Sequence, residues 1–595
     1  MTGDNKNFLL AVILSAAIIF GWQYFYAGPQ QEKLKAQLAQ SQQAAQAQQP
    51  AATPGTSANP QQPAAEQILP REQALAASPR VAIDTPSLAG SINLAGARLD
   101  DLHLKHYRET VKVGSPTITL FSPGNSEQGY FAEDGFINPA GSTTKVPDSR
   151  TVWSAPAGAV LAPGKPVTLT YDNGEGLLFS KTIAVDENYL FTITHAVENR
   201  GAAAVALLPY ARIKRNGLPR TENIFVLHEG MIGVTGGELA EIKYADLKEE
   251  AKPAEVQSTG GWLGFTDKYW AAALMPAKDA KVNTAFRHQS SNGMDSFQAE
   301  YVASDALVIA PGASATSEAR VFAGAKVVQI INGYNESLGI DRFDLMIDWG
   351  WFYFFTKPLF WLLEFLKGLT GNFGLAILIA TVLIKAAFFP LANKSYESMS
   401  KMKKLQPEME RLKAAYPDDR MKQQQELMEI YKKEKVSPLS GCLPMLVQIP
   451  VFFALYKVIY VTIEMRHAPF YGWIQDLSAP DPSNLFTLFG LIAWTPPSFL
   501  WLGVWPILMG ITMWVQMRLN PTPPDPVQAS LFNWMPVIFT FMLGTFPAGL
   551  VIYWAWSNTL SILQQSFIMK RHGVEIDFFG NIRNSLPFLR KKAAS

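Results

Sequence analysis

The chain has one cysteine, Cys442, in 595 residues, which excludes an intrachain disulfide and any zinc site built on thiolates. It has almost no net charge: 51 Lys and Arg against 50 Asp and Glu leave +1, so no general nucleic-acid-binding surface is implied. No phosphate-binding glycine loop and no cluster of ligating side chains occurs, so no metal, nucleotide or redox cofactor is expected. There is no internal symmetry of the kind that pairs broken helices in small-molecule transporters. The length is too great for one core, and the Trp, Phe and Met crowd into residues 343–570 while residues 79–330 read as soluble sequence. The chain is therefore expected to be multi-domain α + β, with a soluble part and a membrane part.

Phe8 to Tyr26 is an apolar run behind Lys6. Its only candidate cleavage point, Phe25-Tyr26-Ala27, places bulky aromatics where small residues are needed, and Trp22, Tyr24 and Tyr26 form an interfacial belt. Residues 1–28 are read as an uncleaved transmembrane anchor. Residues 29–78 are rich in Gln, Ala and Pro without apolar periodicity, a linker that cannot repay the entropy of ordering. From 79 to 330, alternating stretches such as Val167–Tyr171 and Tyr189–Val197 are separated by turns at Asp172-Asn173-Gly174, Asp186-Glu187-Asn188 and Asn199-Arg200-Gly201, which predicts a large antiparallel β domain.

Residues 331–371 are read as an interfacial amphipathic helix, because Lys357, Glu364 and Lys367 share one helical face; a partly buried span is the alternative. Five further apolar segments follow, Phe373–Leu391, Leu443–Ile463, Leu500–Met517, Leu531–Phe546 and Ala548–Phe567, each near the length that crosses about 30 Å of hydrocarbon. With the anchor they make six spans. The basic segment 392–440 is expected on the cytoplasmic side as a helical hairpin, with arms over 394–415 and 418–434 and an N-capped turn at Pro417-Asp418-Asp419. The basic tail, 571–595, falls on the same side, so both termini are cytoplasmic and the β domain faces the periplasm or its equivalent.

Polar groups inside membrane spans are rare and informative. Lys385 follows Thr381 by one turn; Trp554, Ser557, Asn558, Ser561 and Gln565 form a stripe on the sixth span; Gln448 and Lys457 lie on the third and Gln516 on the fourth. Lys385 and Lys457 could each snorkel to an interface, and the stripe could serve only helix–helix hydrogen bonding. The functional reading joins Lys385, Thr381, Gln448, Gln516, Ser557 and Asn558 into a hydrophilic groove open to cytoplasm and lipid, whose cation attracts acidic residues of a translocating tail. In the hairpin, Lys401, Lys403, Lys404, Arg411 and Lys413 would form a docking surface at the groove mouth.

The residues Gly371-Asn372-Phe373-Gly374, Leu405-Gln406-Pro407, Gly441-Cys442-Leu443-Pro444, Gln448-Ile449-Pro450, Trp473 to Ser478, Met535 to Thr540, Phe546 to Leu550 and Ser557-Asn558 resemble the YidC-type membrane protein insertases, a superfamily shared with mitochondrial and chloroplast insertases. Thr85 to Ile92 and Phe322 to Lys326 are similar to the periplasmic domain of its Gram-negative members. The resemblance implies a periplasmic β-supersandwich similar to sugar mutarotases over 79–330 and a five-helix insertase core over 372–570 that inserts, folds and assembles proteins of the bacterial inner membrane. It implies nascent membrane proteins, the ribosome, the Sec translocon with its accessory subunits and the lipid bilayer as partners, no small-molecule substrate and no enzymatic reaction. It places Lys385 at the groove cation, usually arginine in the family, so the charge is kept and the bidentate fork lost. It also places Thr381, Tyr553 and Trp554 on the groove wall. The stretch Leu485–Phe499 departs from the family and has no assigned role. A rival reading, a sugar-binding protein or epimerase, needs a convergent acid and base; His103, His106, His195, His228 and His288 are present but sit in no motif.

Overall fold

A computed structural model describes residues 68–573, apart from short breaks at 220, 222–226, 250–253, 292, 418, 435, 437–442, 495, 498–499 and 521–525. The expected anchor over 1–28, most of the linker, Cys442 and the basic tail beyond 573 lie outside the described residues. Nearly all of what is described belongs to one compact unit formed by 67–521 and 533–595.

Turn chemistry places the strands. At Asp172-Asn173-Gly174 the glycine takes φ +73°, the Asp172 carboxylate accepts the Gly174 N–H at 2.8 Å, and Asn173 Oδ1 accepts those of Glu175 and Leu177. The flanking strands Val167–Asp172 and Leu177–Val185 pair antiparallel as predicted. Along Leu177–Val185 every second residue is buried, the period of a strand with one face in a core. Among the described residues the strands form two sheets, of eleven and eight strands, antiparallel but for the short pairing of Ala82-Ile83 with Val160-Leu161. Their inner faces meet where Phe136 of the larger sheet packs on Phe179 and His195 of the smaller, at 6.1 and 5.3 Å between ring centroids. The result is an antiparallel β-sandwich.

The sandwich begins before residue 79. The linker, expected to run to 78, gives way at Leu69, whose N–H bonds the Asn125 carbonyl. Helix α1 (Arg71–Ala76) follows, with Ala74 buried and Arg71 paired to Asp101; an ion pair to the domain orders a segment whose composition alone would not. A second short helix, α2 (Tyr244–Glu249), packs within the sandwich.

The segment 331–371 is not one helix. It comprises α3 (Val328–Ser337), a 3₁₀ turn at Phe343–Met346 and α4 (Tyr353–Thr370). Gly339 and Gly350, at φ +61° and +71°, mark the breaks. The charged residues of α4 turn toward the rest of the protein. Lys357 pairs with Asp344 at 2.6 Å, Glu364 is half-buried and Lys367 lies over the Phe373 ring, whereas Trp361, Phe365 and Leu369 are exposed. Lys357 and Lys367 are held by protein groups, the buried Glu364 Oε1 has no hydrogen-bond partner among the described residues, and the apolar side faces outward.

Eight helices carry the C-terminal region: α5 (Phe373–Ala387), α6 (Phe389–Lys404), α7 (Gln406–Ala415), α8 (Arg420–Lys433), α9 (Leu443–Val461), α10 (Val504–Leu519), α11 (Pro526–Met542) and α12 (Ala548–Arg571) among the described residues. The segment expected to span from Phe373 to Leu391 stops at Ala387 and bends by 68° into α6. Pro390 in the first turn of α6 supplies no N–H and cannot continue α5. The first hairpin arm consequently begins at Phe389 rather than 394, and Pro407 breaks it again at Leu405. The predicted N-cap is Asp419, whose carboxylate accepts the Lys422 N–H at 3.0 Å. Among the described residues no single helix is both long and apolar enough to cross a membrane, while α5 and α6 together pass that test. In α12 the polar stripe itself lowers the apolarity of a 24-residue helix.

Candidate functional site

The stripe on α12 becomes a cluster because three other helices present partners to it. From α5, Lys385 Nζ donates to Ser561 Oγ at 2.8 Å. From α9, Gln448 Nε2 donates to Ser557 Oγ at 2.9 Å, and the Tyr553 hydroxyl interacts with both. From α10, Thr512 Oγ1 accepts Asn558 Nδ2 at 3.4 Å, and beyond its end Asn520 Oδ1 accepts Gln565 Nε2 at 3.0 Å. Ser557, Asn558, Ser561 and Gln565 are almost fully buried, as hydrogen-bonded polar groups between helices can be. Trp554 stands beside them, edge-on to Phe452 and Phe539 at 4.9 and 5.6 Å.

Lys385 sits in the last turn of α5, where the helix carbonyls favour a cation. Among the described residues no carboxylate lies within ion-pair distance of it. Thr381 is buried one turn earlier, its hydroxyl donating back to the Ile377 carbonyl at 2.6 Å. Gln516 is half-buried on α10 and, among the described residues, makes no side-chain hydrogen bond to the cluster. Lys457, read as a possible snorkeller, is instead buried and paired with Asp348 at 2.7 Å. Sequence reasoning missed Thr512 and Asn520, whose roles depend on which face of α10 meets α12, and Tyr396 of α6, buried beside Ser561.

The hairpin cations differ in what they touch. Lys401 pairs with Glu397 at 3.1 Å, Lys404 Nζ donates to the His572 carbonyl at 2.9 Å, Arg411 is exposed on α7, and Lys413 lies on the same helix. Lys403 is half-buried with Nζ unpartnered, and burial lowers its pKa below the ordinary lysine range.

In the β domain the structure joins residues far apart in sequence. His195 Nε2 bonds Asp134, and Lys181 Nζ reaches the same carboxylate at 3.0 Å. Burial alone would raise the Asp134 pKa, but the Lys181 charge and the His195 bond hold it down at about 2. A cavity of about 20 Å³ beside them, lined by Glu133, Trp153 and Tyr210, has room for about one water. Asp134 and His195 are thus bonded to each other, and Asp134 also to a buried lysine. No group of three or more His, Cys, Asp or Glu among the described residues could hold a metal.

Residues 80–362 match the family described as YidC periplasmic domain, and residues 365–575 match the family described as 60Kd inner membrane protein. The chain is 56% identical over 590 residues to the membrane protein insertase YidC of Sinorhizobium medicae, covering 98% of both chains. It is 55% identical over 609 residues to that of Nitrobacter hamburgensis, covering 100% of this chain and 99% of the relative. A solved structure of an active YidC insertase with its first transmembrane domain resolved shares 19% identity, with 81% of this chain and 91% of that one covered, at a TM-score of 0.35. The protein is accordingly an inner membrane protein with a periplasmic β domain. End-to-end identity above one half with these relatives, together with the two matched domains, shows that the chain belongs to the YidC family of membrane protein insertases.

Proposed function

We propose that this chain inserts and helps fold integral proteins of the inner membrane by lending the cluster around Lys385 as a polar, cationic wall along which a client's hydrophilic segment moves while its apolar segment enters lipid. The observation that carries the reading is Lys385 held on Ser561 at 2.8 Å with no carboxylate partner among the described residues. A lysine in an apolar helix is costly. One left without its own counter-charge is available to an acidic client residue at an attraction of about 4 kcal/mol at 4 Å in an environment of effective dielectric 20. What is lowered is a desolvation barrier; no covalent bond is made or broken, and the protein is not an enzyme in that sense.

The same reading takes the chain as multi-pass, with six spans including the anchor over 1–28, five of them forming the insertase core, and with both termini cytoplasmic. Gln448, Gln516, Thr381, Tyr553, Trp554, Ser557 and Asn558 line the wall. The hairpin of α6 to α8, through Lys401, Lys403, Lys404, Arg411 and Lys413, docks clients delivered by ribosomes, alone or beside the Sec translocon. The test is insertion of a two-span client with an acidic translocated segment into liposomes holding only this protein. Wild type and Lys385→Arg are expected to insert it, and Lys385→Glu to fail. Equal insertion by Lys385→Glu would remove the electrostatic role, and no insertion by any correctly folded form would point to a chaperone that needs a partner.

A further inference from the structure

Between Asp481 and Arg518 the chain has no acidic, basic or histidine residue. The Leu485–Phe499 extension lies within this stretch, ahead of α10. Its described tip is not folded inward. Leu485, Phe486, Leu488, Phe489, Leu491, Ile492 and Trp494 are all exposed, Leu491 to 85%. Leu488 and Phe489 also hold left-handed backbone, at φ +47° and +59°, a conformation that large side chains avoid.

The base beneath this tip is rigid. Asp481, almost fully buried, accepts from the Trp473 indole, the Ser483 N–H and hydroxyl and the Trp505 N–H at 2.7–2.9 Å, and its carbonyl accepts the Trp501 indole. Leu485 N–H bonds the Leu502 carbonyl, closing the loop on the residues that enter α10. A disordered apolar loop would bury what it could; this one is held in strained backbone with its apolar side chains presented.

We infer that the tip 485–494 is a membrane wedge that seats its leucines and aromatics in the lipid leaflet on the β-domain side. Three features select lipid over water or another protein: the absence of any charge, tryptophans at the base of the tip in Trp473 and Trp501 and at its end in Trp494, and direct continuity in sequence with α10. The inference rests on the multi-pass reading above.

The test uses the full chain with Cys442→Ser, reconstituted in phosphatidylcholine vesicles and labelled with an environment-sensitive fluorophore at one introduced cysteine: Leu491→Cys in the tip, Ile511→Cys on α10, or Val113→Cys on the β domain. Bromine-labelled phosphatidylcholine and aqueous iodide serve as quenchers. Expected is loss of intensity in brominated lipid at 491 matching that at 511, with iodide quenching only at 113. Iodide quenching at 491 with lipid quenching at 511 overturns the wedge while the multi-pass reading stands. Protection at 491 from both quenchers also overturns it, in favour of a protein cover such as a second copy. Lipid quenching at neither 491 nor 511 overturns the multi-pass reading and the wedge together.

Discussion

Replacing Asp481 by alanine is expected to loosen the end of the helical bundle on which the loop before α10 is seated. The carboxylate takes four hydrogen bonds. The Trp473 side chain is 46% exposed, so its indole can turn to water and is discounted. The Ser483 hydroxyl can rotate to another acceptor. The Ser483 and Trp505 N–H groups are the costly losses, each a bond to a charged acceptor worth about 1.5–3 kcal/mol, which gives about 3–6 kcal/mol in total. Asparagine keeps one acceptor oxygen and is expected to cost about half as much, since its amide would face one of those N–H groups. The chain is too large for a two-state unfolding measurement, so the assay is amide hydrogen exchange in lipid nanodiscs, read as local opening. A loss of about 3 kcal/mol corresponds to roughly 150-fold faster exchange. It is expected at Trp505 and also at Ala548 and Gly549, because their N–H groups bond the carbonyls of Ala479 and Leu477 in the same loop. Exchange within about threefold of wild type at Trp505 would refute the hub.

Gly510 of α10 leaves a gap in which a Cβ would lie 2.0 Å from Thr540 Oγ1 of α11; Gly510→Ala is expected to destabilise by about 1–3 kcal/mol, and Thr540→Ala to restore much of it, as measured by exchange of the α10 amides. Gln448→Leu removes the bond to Ser557 at about 0.6 kcal/mol of helix packing, so the fold should persist while liposome insertion of polar-tailed clients slows. Burial pushes the Glu464 carboxyl up to about 7, with Glu364 adding to the rise against the Val328 N–H that bonds it. A carboxyl raised in the folded state contributes stability that is full below about pH 4.5 and lost as pH rises through about 7. Protease resistance of the contact between α3 and the Glu464 turn should therefore fall from pH 5 to pH 8 in the wild type and stay level in Glu464→Gln. Purified protein should turn over no aldose sugar, with mutarotation followed by polarimetry.

The alternation in Leu177–Val185 and the turn at Asp172-Asn173-Gly174 depend on neighbours within a few residues, so the strand pairing there was legible before any fold was known. The apolar segments that became α9 to α12, and the polar spacing along α12, were legible for the same reason. The bend after Ala387 is signalled locally by Pro390, yet hydropathy carried the expected span through it, because a run of apolar residues does not record backbone direction.

What the sequence by itself determined is therefore the local periodicity: which residues could form a strand, a helix or a polar stripe. Only the tertiary structure decided what each stripe faces, since that depends on contacts between separate elements, up to 176 positions apart in the chain. It turned the charged side of α4 inward to Asp344 and Phe373, paired Lys457 with Asp348, joined His195 to Asp134, and brought Thr512 of α10 to Asn558 of α12. Lys385 shows the division most clearly. Its position in an apolar helix marked it as unusual, but whether it would reach an interface or a partner was set by α12 placing Ser561 2.8 Å from its Nζ.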